Sequence, residues 1–236
     1  QAVQALSKDY ANQAYAGIQE KITQLEDLAV DPRLRSGNNR QQIVATMAEN
    51  RARLNISLLS FTFPDSSSVR DDGVASNVAD RAYIQQAFKT QKTAISDPLI
   101  AKATGKWSVA IAVPVFDNGK LTGLLVGTIA LDGLNELVKD IQFKDSGYGL
   151  IIDGTGTVIA HGRNPELVGK INVKQKKISP DLKLETAEID DQLASLFTAA
   201  MEGKDTIHGT YHFLDDVTRQ GILTPISLPG SQKWII

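Results

Sequence analysis

Leu6, Tyr10, Ala14, Ile18, Ile22, Leu25 and Leu28 recur at steps of 4, 4, 4, 4, 3 and 3, averaging about 3.7 against the helical period of about 3.6. The spacing predicts one long amphipathic helix. It should end near Val30, because Asp31-Pro32 biases the preceding residue away from helical dihedrals and Ser36-Gly37-Asn38-Asn39 is a turn cluster. At about 1.5 Å per residue it reaches roughly 45 Å, longer than a small domain is wide. Something in the chain must therefore cover a very long apolar stripe. With 236 residues, 42% of them hydrophobic, there is material for one or two cores, which excludes a stapled mini-protein and global disorder.

Ile43, Val44, Met47 and Leu54 continue with a second helical pattern, and then the period changes. Residues 56–63 read as a strand ending at Pro64-Asp65-Ser66. Asn77 is placed to cap a short helix from Val78 to about Lys89, with Asp80 at its third position. Thr93 to Ala101, Trp107 to Phe116 and Leu121 to Leu131, separated by Thr104-Gly105 and Asp117-Asn118-Gly119, predict an antiparallel meander. Leu134, Leu137, Val138 and Ile141 then form a helical stripe. From Gly147 the order repeats coarsely: a hairpin of Tyr148–Asp153 and Thr157–His161 about Gly154-Thr155-Gly156, a helix over Gln192–Met201, and strands over Ile207–Leu214 and Gly221–Pro225.

Several chemistries find no support. The chain has no cysteine, hence no thiolate metal site, thiol nucleophile or disulfide. A net charge of −2 lacks the basic footprint that nucleic acid demands. His208 and His212, four apart on a strand, stand about 13 Å from each other and cannot share a metal. Gly154-Thr155-Gly156 opens no helix and is a turn, not a dinucleotide fingerprint, and no other cofactor or catalytic motif is present. The longest stretch without polar side chains, Val109 to Phe116, is far short of the roughly 20 residues a spanning helix needs. Lys170, Lys174, Lys176 and Lys177 form a basic loop, read as solvated. Gln1 in place of Met, and an end at Trp234-Ile235-Ile236 inside a strand pattern, lead us to expect a piece of a longer chain.

Asp80-Arg81-Ala82-Tyr83 is the segment with the clearest binding chemistry. A guanidinium at the first turn of a helix joins a planar donor fork to free backbone amides and the positive dipole end, which suits a carboxylate. The competing reading is an Asp80–Arg81 pair in solvent.

Taken in order, Asp80 to Phe88, Ile95-Ser96-Asp97-Pro98-Leu99-Ile100, Ala112-Val113-Pro114-Val115 and Gly123 to Leu131 resemble the distal half of a double Cache sensor domain. Tyr148 to His161 resembles the opening of its proximal half, and Pro225 to Trp234 its closing strand. The resemblance implies an α+β fold: a helical stalk over 1–54, then two PAS-like modules over 55–145 and 146–236, each with a central antiparallel sheet. It also implies the extracytoplasmic part of a bacterial chemoreceptor, anchored by membrane helices absent from this fragment, dimeric at full length, and not itself an enzyme. The same domain on a histidine kinase or diguanylate cyclase, a vestigial pocket reading a periplasmic partner protein, and a secreted hydrolase or carbohydrate-binding module are the alternatives.

In members that bind amino acids, Arg81 matches the carboxylate-binding Arg and Tyr83 the first aromatic. Ile84 replaces the second aromatic, Leu99 stands where a Tyr would fall, and Thr128 where the ammonium-pairing Asp would fall. The resemblance then implies a small carboxylate ligand, with Asp97 or Asp132 as substitutes for the missing acid if the ligand is an amino acid or amine. Trp107 either lines the pocket or packs in the core.

Overall fold

The computed structural model describes residues 2–141 and 146–236; Gln1 and the expected boundary at residue 145 lie outside them. Contacts divide the chain into two compact units. One is Ile18–Ala130 with Pro229–Ser231; the other is Gln1–Gly17 with Leu131–Leu228 and Gln232–Ile236.

Helix α1 (Ala2–Ala29) stops where Asp31-Pro32 requires, and the Asp31 side chain caps the short α2 (Pro32–Arg35) by accepting from the Arg33 amide at 2.8 Å. Asn39 caps α3 (Arg40–Leu54) in the same way. Along α1, Ile18, Ile22, Leu25 and Leu28 are buried, whereas Leu6, the first member of the stripe, is 44% exposed.

In the first unit, β1 (Leu58–Thr62), β2 (Ser67–Arg70), β3 (Ala75–Asn77), α4 (Ala82–Thr90), β4 (Ala94–Ile95), β5 (Leu99–Ile100), β6 (Trp107–Asp117) and β7 (Lys120–Ala130) follow. The strands make one antiparallel sheet in the order β3-β2-β1-β7-β6-β4, with β5 pairing β6 as well. The expected meander is present, but its first strand is two short ones, because Asp97-Pro98 interrupts the ladder. Register sorts the two faces. Leu59, Phe61, Leu125, Gly127, Val109 and Ile111 share one, and Leu25 of α1 seats there because Gly127 has no side chain: a Cβ would stand 2.8 Å from a Leu25 methyl. Leu58, Ser60, Leu124, Val126, Thr128, Ser108, Ala110 and Ala112 share the other, and α4 lies over it through Ile84 and Ala87.

Helix α4 begins four residues later than the sequence pattern suggests. Asn77 is not its cap: it ends β3 opposite Ser67 and folds back to accept from the Ala79 amide, so the chain turns through Asp80 before the helix starts. The loop Pro229–Ser231 belongs to this unit too. The Gly230 carbonyl accepts from Gln86 at 2.9 Å, and a Cβ on Gly230, whose φ is +74°, would stand 3.0 Å from the Ala94 Cα.

In the second unit α5 (Leu131–Asn135) is shorter than the expected stripe. Leu137, Val138 and Ile141 bond three residues back rather than four, so the segment tightens into turns while Leu134, Val138 and Ile141 stay buried. The hairpin of β8 (Leu150–Ile152) and β9 (Val158–His161) turns on Asp153, whose Oδ1 accepts from the Thr155 and Thr157 amides, and on Gly156 at φ +92°. Then come β10 (Ile171–Asn172), β11 (Lys177–Ile178), α6 (Asp191–Glu202), β12 (Ile207–His212), β13 (Thr218–Leu223), β14 (Pro225–Leu228) and β15 (Gln232–Ile235). The expected single closing strand over 225–234 is two antiparallel strands, split where Pro229-Gly230 forces a turn, and the sheet runs β14-β15-β8-β9. Lysines of the basic loop are paired: Lys170 with Asp181 at 2.7 Å and Lys176 with Asp191.

Candidate functional site

The late start of α4 puts Arg81 at its N-cap position, with φ −93° and ψ 112° and no capping bond from its side chain. The guanidinium instead reaches the Ile100 carbonyl of β5 at 3.4 Å. Asp80 does not take it, being 3.3 Å from Lys102. Among the described residues no carboxylate lies within ion-pair distance of Arg81. The same end of α4 leaves the amides of Ala82 and Tyr83 without a partner among the described residues, since the first bonds to the cap are made by Ile84 and Gln85. An uncapped helix start and a guanidinium held by one weak bond together form a cluster of donors with positive charge.

Tyr83, half-buried, packs on the apolar cluster of Ile84, Ala110, Ala112 and Val126, and burial pushes its hydroxyl up to about 12. Its hydroxyl therefore stays protonated. Leu99 packs on the same cluster and pairs with Ser108. Thr128 is 7% exposed on the same sheet face, between Leu58 and Ala110. Neither the Tyr83 nor the Thr128 hydroxyl has a hydrogen-bond partner among the described residues. The fold thus brings Tyr83, Leu99 and Thr128 to one sheet face, with Arg81 on the helix that covers it.

Trp107 and Asp97 are placed elsewhere. Trp107 alternates to the opposite face of β6 from Ser108 and Ala110, where it is 44% exposed and pairs with Ile100. Asp97 is exposed in the break between β4 and β5, and Asp132 opens α5 in the other unit. The free amides expected beside Arg81 are those of Ala82 and Tyr83, not those of a first turn beginning at Val78. The signal was Asn77-Val78-Ala79-Asp80, which contains enough turn-formers to absorb the expected first helical turn.

A two-sided antiparallel sheet, long helices on one face and a short helix over a donor-lined patch on the other, define an α+β module. The Cache domain model matches residues 1–236, and the chain belongs to this family of ligand-binding sensor domains. Methyl-accepting chemotaxis protein PscA of Pseudomonas syringae pv. tomato is 26% identical over 110 residues, 47% of this chain and 18% of that protein. Sporulation kinase D of Bacillus subtilis is 40% identical over 64 residues, 27% of this chain and 13% of that protein. The chain matches a minor part of either relative's length. The ligand-binding domain of the Pseudomonas fluorescens chemoreceptor CtaA, solved with L-isoleucine, superposes with a TM-score of 0.70 at 15% identity, covering 99% of this chain and 89% of that one. At that identity the likeness concerns the fold.

Proposed function

We propose that this chain is the extracytoplasmic sensor of a bacterial transmembrane chemoreceptor, dimeric at full length, and that it binds a small organic carboxylate under α4. In this reading residues 55–145 are the membrane-distal, ligand-binding module and residues 146–236 the membrane-proximal one. The observation that carries it is Arg81: a guanidinium without an acidic partner among the described residues, beside two amides likewise without one, on the helix covering the sheet face that bears Thr128. Donors are plentiful there and acceptors for an ammonium are few, so a plain carboxylate is matched and an amino acid is not.

Titration calorimetry of the purified chain with a panel of short organic acids and amino acids tests this. Arg81→Ala should weaken the best organic acid by about tenfold to a hundredfold, the worth of a charge-assisted hydrogen bond or a bidentate pair. Tighter binding of amino acids, or indifference to the substitution, rejects it. The L-isoleucine complex of CtaA favours the amino-acid reading, and the same panel decides between the two. The match to sporulation kinase D favours a kinase output as the second reading, settled by the residues that follow 236 in the gene.

Ligand binding is proposed to close residues 64–81 on the sheet and shift the C-terminal strand against the start of α1. Only a difference in affinity between two arrangements drives such a shift. Spin labels near residues 2 and 236 of the membrane-embedded receptor should change separation when ligand is added; an unchanged distance would count against the transmission step.

A further inference from the structure

We propose that the unit containing β9 and the β12–β13 hairpin holds a second site for a small carboxylate, formed by the His161 ring, the Tyr148 and Tyr211 hydroxyls and the Arg219 guanidinium. His161 is 1% exposed at the end of β9. The amides of Arg163 and Asn164 donate to its Nδ1 at 3.2 and 2.8 Å, so Nδ1 is the bare nitrogen and the proton sits on Nε2. That Nε2 is buried and has no partner among the described residues. An N–H buried without an acceptor costs free energy, and such groups are uncommon unless something transient completes them.

Two aromatic rings lie against the imidazole. Tyr148 stacks on it at 4.6 Å between centroids and Phe213 follows at 6.5 Å. Tyr211 and Arg219 are directly opposed across β12 and β13, and so share a face, and the Tyr211 ring occupies the space that a side chain on Gly221 would take, 2.7 Å from its Cβ. The Arg219 charge acts on Tyr211, and on His161 as the smallest of the influences on that ring. Its Nη atoms are held by Asp215 at 2.6 and 2.8 Å and by the Phe213 carbonyl, while its Nε–H has no partner among the described residues. Neither tyrosine hydroxyl has one either. The imidazole and guanidinium N–H groups can only donate, and the two tyrosine hydroxyls can donate as well, which suits a carboxylate oxygen pair. Because Asp215 already offsets Arg219, and Glu166 adds a negative charge near His161, binding there should be weak and confined to acetate-sized ligands.

The test uses the Arg81→Ala chain, so that the site under α4 does not contribute, and follows the His161 ring N–H by nitrogen-resolved NMR during titration with sodium acetate against sodium chloride. A saturable shift of that resonance, weakened about tenfold by Tyr211→Phe, supports the site. A Tyr211→Phe chain with an unchanged amide spectrum keeps the comparison interpretable. No acetate-specific shift, an equal shift with acetamide, or a ring proton that exchanges only with water overturns it. None of these outcomes bears on the Arg81 site, which is read separately in the unsubstituted chain.

Discussion

Lowering the pH from 6.5 to 4 should remove about 3 kcal/mol of folding stability through His161 alone. Burial pushes the folded imidazole down to about 4 from an ordinary 6.5, the charges of Arg163 and Arg219 act in the same direction, and Glu166 opposes them. Between those two values the unfolded chain binds a proton that the folded chain refuses. Unfolding is thus favoured progressively as pH falls through that window, and the residue's contribution to the slope fades within about a unit above pH 6.5. Carboxylates held down by partners, such as Asp72 beside Arg70 and Asp215 beside Arg219, both at about 2, lose their pairing only at lower pH. Denaturant unfolding at a series of pH values, compared with His161→Asn, isolates the contribution, since the Asn oxygen can still accept from Arg163 and Asn164. Parallel pH profiles for the two chains would show that the ring is not the titrating group.

Thr128→Asp should cost about 3 kcal/mol in the empty chain, because it places a carboxylate at a site 7% exposed whose cross-strand neighbours, Leu58 and Ala110, are both apolar. It should also invert ligand preference. Propionate and L-alanine differ by one ammonium group, so melting temperatures with each read that group alone. The unsubstituted chain is expected to gain more from propionate, and the substituted one more from L-alanine, whose ammonium compensates the new charge. If Thr128→Asp folds with undiminished stability and ranks the two ligands as before, position 128 does not face the ligand.

Elements dictated by local pattern were readable in the sequence. The stripe through Leu28 and its stop at Asp31-Pro32, the strands about Asn118-Gly119, and the helix over Asp191–Glu202 each follow from periodicity or a turn former at close range. Errors arose where two local signals competed. Asn77 can cap a helix or end a strand, and pairing with Ser67 decides for the strand. Pro229-Gly230 marks a turn, but Pro225 to Trp234 also alternates like one strand. The site was legible only as residue types. Which face of β6 Trp107 occupies depends on the register that sets Ala110 opposite Thr128, and register is a property of the whole sheet. The group around His161 was invisible for the same reason, since its members come from residues 148 to 219 and no spacing links them.

The unfinished start of α4 bears on how an empty sensor differs from a loaded one. A nine-residue helix with its first amides unanswered holds its opening turn weakly. On the proposed reading, a carboxylate seated beside Arg81 would serve as the missing cap, and the loaded state would gain a turn of ordered backbone as well as a ligand. The resting state would then be defined by chain entropy at one helix end more than by a second rigid shape.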